Sequence, residues 1–291
     1  MKRILFTTML AAVLLVAGCG QSGGKSEEPA MNHSTGHGSG NSESSSQHEG
    51  HEENGGAEEG VSSNVQALFS YSNDSVKPNE EFVVKIRIQA PDGEPYDAFD
   101  TVHEKKMHLI IVNKDLSYFS HIHPDYEGGG QFTITTSLPA AGEYKWIADF
   151  KLEGGSALNR SEWMTVQGNA PALKPVEPDE QLVKTVDGKQ VTLSMDHLMA
   201  NMELSLNFHI ADASTKEPIS NLQPYLGAVG HVVILSEDAE QYLHVHPTEE
   251  RSTGPDASFM TTFPHSGVYK IWGQFQQDGK VFTVPFVVKV P

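Results

Sequence analysis

The chain has 291 residues, 20 of them Lys or Arg against 38 Asp or Glu, for a net charge of −18, and it has one cysteine. That charge makes nucleic acid a poor partner. A single thiol excludes an internal disulfide and a CxxC redox pair; if that thiol carries a lipid, no Cys ligand is left for a blue-copper centre.

In chain order, MKRILFTTMLAAVLLVAGC comes first. A basic start, Lys2 and Arg3, an apolar run short of the ~20 residues that span a membrane, and then Cys19 predict a lipoprotein signal peptide over 1–18. Lipidation at Cys19 would anchor the chain to the outer face of a bacterial cell membrane, an extracytoplasmic location. Residues 19–60 are Gly, Ser, Glu and His with almost nothing apolar, so a disordered tether is expected. His33, His37, His48 and His51, set among Met31, Glu49, Glu52 and Glu53, suit weak and exchangeable capture of a cation, or else belong to a hydrophilic spacer.

From residue 61 the composition turns globular, and the chain repeats itself. MHLIIVNKDLSYFSHIHP aligns with GHVVILSEDAEQYLHVHP at a constant offset of 123, and LPAAGEYKWIADF with FPHSGVYKIWGQF at an offset of 125. Short β-branched and aromatic runs divided by Pro-Asp-Gly, Asn-Lys-Asp and Gly-Gly-Gly predict an all-β fold of two tandem Ig-like or cupredoxin-like antiparallel sandwiches, over 61–167 and 181–291, joined by a Pro-rich linker, 168–180. The aromatics Phe119, Tyr144 and Trp146, with Tyr242, Tyr269 and Trp272 as partners, are expected in the sandwich cores.

The repeat places six histidines in register: His108, His121 and His123 in the first copy, His231, His244 and His246 in the second. A hairpin turning between Lys114 and Asp115 sets His108 opposite His121, with His123 on the same face. A turn between Glu237 and Asp238 does the same for His231 and His244, giving one site per repeat. Three imidazoles on one face suit Cu(II) or Zn(II) with a fourth position open. Asp125, Glu249 and above all His265 are the candidates for that position; His103 and Met107 belong only to the first copy, Met107 on the opposite face. SMDHLMANM offers Met195, His197, Met199 and Met202 as softer ligands for Cu(I), or as adaptable apolar filling.

On YLGAVGHVVIL, YLHVHP and FPHSGVYKIWGQF in the second copy and MHLIIV, FSHIHP and LPAAGEYKWIADF in the first, residues 61–291 resemble two YtkA-like or cupredoxin-like domains of bacterial secreted or lipid-anchored proteins. The resemblance implies copper handling, although both motifs read His-x-His where a related periplasmic copper chaperone uses His-x-Met. The expected protein is not an enzyme. It binds copper, with zinc as the alternative, and buffers the ion or passes it to an envelope protein. The alternative is a tandem Ig-like interaction module on a stalk, its histidines structural. A zinc hydrolase is a third class, for which the triplets bring no evident general base or oxyanion donor.

Overall fold

The structure, a computed structural model, describes residues 64–291, His244 and His246 in backbone only. The expected signal peptide, Cys19 and the expected tether lie outside the described residues. The described chain is all β and antiparallel. The first repeat forms β1 (Gln66–Tyr71), β2 (Phe82–Gln89), β3 (Met107–Asn113), β4 (Phe119–Ile122), β5 (Asp125–Gly128), β6 (Gln131–Thr136), β7 (Gly142–Lys151) and β8 (Ala157–Val166). The second forms β9 (Val183–Val186), β10 (Lys189–Met195), β11 (Glu203–Asp212), β12 (His231–Ser236), β13 (Tyr242–Pro247), β14 (Asp256–Thr262), β15 (Gly267–Gln277) and β16 (Lys280–Val290).

In the first repeat the sheets are ordered β1-β2-β6-β5 and β4-β3-β7-β8. In the second, β13 is long enough to pair with β12 through Val245 and with β14 through His246 and Pro247, so its two layers join into one eight-stranded sheet, β16-β15-β12-β13-β14-β11-β10-β9. The first repeat breaks at the same point, between Ile122 and Asp125.

Two kinds of strand follow from two kinds of sequence. FVVKIRIQ in β2 alternates, burying Phe82, Val84, Ile86 and Ile88 and leaving the residues between them wetter. MHLIIV in β3 is apolar but for His108 and buried on both faces, as is most of β7, a pattern that requires cover on two sides. Met107, Leu109 and Ile111, with Tyr144, Trp146 and Phe150, fill the core of their own sandwich. Ile110, Val112 and Ile147 point the other way, against the second repeat.

That second face is a seam with approximate two-fold character. Ile110, Val112, Leu116 and Ile147 pack with Val233, Leu235, Ala239 and Trp272, which are their repeat equivalents. Lys145 donates to the Ala239 carbonyl at 2.8 Å, and its counterpart Lys270 donates to the Leu116 carbonyl at 2.8 Å. Phe119 stacks on Trp272 with centroids 4.7 Å apart. The expected aromatic core is therefore corrected: Tyr144, Trp146 and Tyr269 lie in sandwich cores, whereas Phe119, Tyr242 and Trp272 occupy the seam. Trp272 is the equivalent of Ile147, one residue on from Trp146, and one residue along a strand reverses the face.

The linking segment is tied to both repeats. The Lys174 amide donates to the Asp115 carboxylate at 2.9 Å, and the Asp179 carboxylate accepts from Val287 N at 2.9 Å and pairs with Lys184. Truncating Trp272 to Ala removes a buried ring from the seam and is expected to cost about 3–5 kcal/mol, read as a lower midpoint in denaturant. Leu68→Ala, at an exposed position, should change stability by no more than about 0.5 kcal/mol.

Candidate metal centre

His108 follows Met107 into β3, and because Met107 enters the first core, His108 faces the seam, where it is buried. The hairpin differs in register from the expected one. Leu109 pairs with Ile122 and Ile110 with His121, a shift of two residues from a turn at Lys114-Asp115. The cause is Leu116, which adopts φ 56° and plugs into the seam, while Asn113 Nδ2, Ser117 N and Ser117 Oγ gather on the Asp115 carboxylate. The second hairpin makes the same shift around Ala239, φ 61°, so that Val233 pairs with His244. A shift of two preserves the face of every side chain. His108 therefore meets His121 diagonally instead of directly opposite.

The first triplet does come together. His108, His121 and His123 each bring a ring nitrogen within 4.8 Å of the others, and their ring centroids lie 4.7–5.1 Å apart. Two more rings join them: His231 lies 5.8 Å from both His108 and His121, and His103 lies 4.6 Å from His231. His231 thus faces the first triplet across the seam. His244 and His246 are placed on β13 beside β12.

The other candidates stand elsewhere. His231 is paired with Gln274 near one end of β15, whereas His265 is exposed before its other end at Gly267, more than about 20 Å along the strand. His265 is therefore not a ligand of this cluster. Asp125 is exposed and pairs with Thr133 in the other sheet, and Glu249 is exposed beyond β13. In SMDHLMANM, Met195 packs against the second core, Met199 and Met202 are exposed, and His197 Nε2 bonds the Glu203 carbonyl. Met107 is core, as its strand position requires.

Hydrogen bonds define the tautomers. His108 Nε2 lies 3.0 Å from the Val102 carbonyl, which can only accept, so Nε2 carries the hydrogen and Nδ1 the lone pair. Gln274 donates Nε2–H to Thr283 Oγ1, which turns its carbonyl Oε1 toward His121 Nδ1 at 2.7 Å; His121 Nε2 then carries the lone pair. These two lone-pair nitrogens face each other at 2.9 Å. His123 Nε2 and His231 Nε2 are buried with no hydrogen-bond partner among the described residues.

Spacing alone does not reveal Asp149 and Gln274. They are repeat equivalents, and the third strand of each sheet sets them beside His108 and His231 respectively. Asp149 accepts from Tyr242 Oη at 2.6 Å, and burial followed by this carboxylate pushes the phenol well above its ordinary pKa. The turn Val102–Lys105 carries His103 and Glu104 at φ 46° and 64°, a left-handed pair closed by Val102 N to Lys105 O, 2.9 Å, and Lys105 N to Val102 O, 3.0 Å.

Two matches to a family model described as "Domain of unknown function (DUF8832)" cover residues 64–168 and 184–291. No curated protein matches. Among solved structures, the chain is similar to the Escherichia coli adhesin FdeC at 14% identity over 77% of this chain and 64% of the adhesin, TM-score 0.26. It is similar to invasin, a bacterial integrin-binding protein, at 13% identity over 76% and 39%, TM-score 0.23. It is also similar to Salmonella alpha-2-macroglobulin at 13% identity over 77% and 14%, TM-score 0.28. The chain spans less than two thirds of each, and likeness at these scores carries no argument about function.

Burial first, and then repulsion between neighbouring rings, lowers the pKa of His121 to about 4, of His123 to about 3 and of His231 to about 2. An unfolded chain protonates these rings near 6.5. From about pH 6.5 down to about 4 for His121, 3 for His123 and 2 for His231 the unfolded state therefore binds more protons, so stability is full above that window and is lost as pH falls through it. Metal-free protein is expected to hold its Tm above about pH 7 and to lose it steadily from about pH 6.5 to 4, with a shallower slope for His231→Gln.

Proposed function

The chain belongs to the DUF8832 family, and we propose that this member is a metal-binding protein of the cell envelope whose ion is held at His108, His121 and His123. One observation carries the reading: His108 Nδ1 and His121 Nε2 present lone pairs to each other at 2.9 Å while their outer N–H groups are committed to carbonyl oxygens. Two neutral acceptors in contact repel. A proton between them would create a buried imidazolium, which burial opposes; a metal ion between them needs none. Outer N–H groups bonded to carbonyls are also the arrangement that orients histidine ligands. Copper is the first cargo and zinc the alternative, since imidazole suits both and the YtkA-like resemblance implies copper. With lipid at Cys19 and the tether histidines collecting ions, the sandwiches would buffer copper at the outer face of the membrane or pass it to an envelope acceptor. No catalytic step is invoked.

A second reading is a tandem Ig-like module on a stalk that binds a surface partner. It is favoured by the position of the cluster inside the seam, where Val102 and Gln274 also serve histidines that do no more than hold the repeats together. Titration decides between the two, using the full chain with the tether residues His33, His37, His48 and His51 changed to Ala. Dissociation constants for Cu(II) or Zn(II) below about micromolar are expected, with a loss of at least about 100-fold in a His108→Ala/His121→Ala double variant. Binding weaker than that, or a double variant that binds like its parent, leaves the interaction module.

A further inference from the structure

The three-histidine set leaves a tetrahedral ion one position short, and the seam supplies a candidate that sequence spacing assigns to another site. We infer that His231 of the second repeat closes the centre, so that the chain holds one ion between its repeats and not one ion in each. The inference rests on the metal-binding reading above.

Four imidazoles bound at 2.0–2.1 Å to one tetrahedral ion have ring centroids about 5 Å apart. Within the triplet they are 4.7–5.1 Å apart, and His231 stands 5.8 Å from both His108 and His121, so each of those two separations closes by under about 1 Å on binding. The Nε2 of His231 is buried with no hydrogen-bond partner among the described residues, the state of a ligand awaiting its ion. Between His108, His121 and His231 lies a cavity of about 20 Å³, lined also by His103, Asp149 and Tyr242, with room for one atom or one water; His123 stands outside its lining, on the far side of His108 and His121. His103, set by its left-handed turn at 4.6 Å from His231, packs edge-on against that ring and fixes its plane. His108 and His231 are repeat equivalents on either side of the seam's approximate two-fold, so an ion near that axis draws on both.

The full chain with Ala at the four tether histidines, stripped of metal and loaded with Zn(II), tests the assignment in two ways. Long-range proton–nitrogen spectra of the histidine rings should show ligated nitrogens on His108, His121, His123 and His231 together, at one ion per chain. His231→Ala should weaken Zn(II) at least tenfold, and His265→Ala should leave it unchanged. Zinc bound at one ion per chain with the His231 ring unligated, or a His231→Ala variant that binds like its parent, overturns the shared centre and leaves the metal reading standing. Two ions of similar affinity do the same. A parent that takes up no zinc or copper overturns both. The spectra use the unaltered sandwiches, so the outcome does not depend on a variant that folds.

Discussion

Burial of both faces of β3 and β7, and of their equivalents β12 and β15, is the constraint on which the rest of the molecule depends. A sandwich needs one apolar face per sheet; these strands carry two, and the second is satisfied only by the other repeat. The seam then determines the hairpins. Leu116 and Ala239 must enter it, both turns close in left-handed conformations to let them, and the register shift follows. Even the buried ammonium of Lys145 is satisfied across the seam, by the Ala239 carbonyl and by Glu240 at 2.9 Å.

The histidines inherit this geometry. At the open end of an apolar interface they are dry enough to stay neutral, and they are close because two sheet faces are pressed together, not because one hairpin folds on itself. Neutral, crowded and oriented by outer carbonyls is the state in which imidazole nitrogens serve as ligands without first losing a proton.

The all-β class, the repeat and the first triplet were legible in the residues. The triplet survived a wrong hairpin register because the error was two residues, which leaves His108, His121 and His123 on one face. What was not legible was the partner of that face. MHLIIV is apolar at every position after its histidine, so period-two reasoning cannot say which side enters a core and which docks, and the run of double-sided burial was itself the unread signal. His265 failed for a related reason. It looked near because it begins the same repeat block as Gln274, but strands are long, and their two ends serve different edges of the sheet.

Asp149 and Gln274 are the same position in the two repeats, yet one is an acid and the other an amide. Two identical subunits meeting across a true two-fold axis would be bound to place either two carboxylates or none beside the cluster. A covalently fused pair is free of that symmetry. Here it bonds one neighbour, the Tyr242 hydroxyl, to a carboxyl oxygen and another, His121, to an amide oxygen. Duplication within a single chain thus gives the seam a polarity that assembly from equal halves forbids.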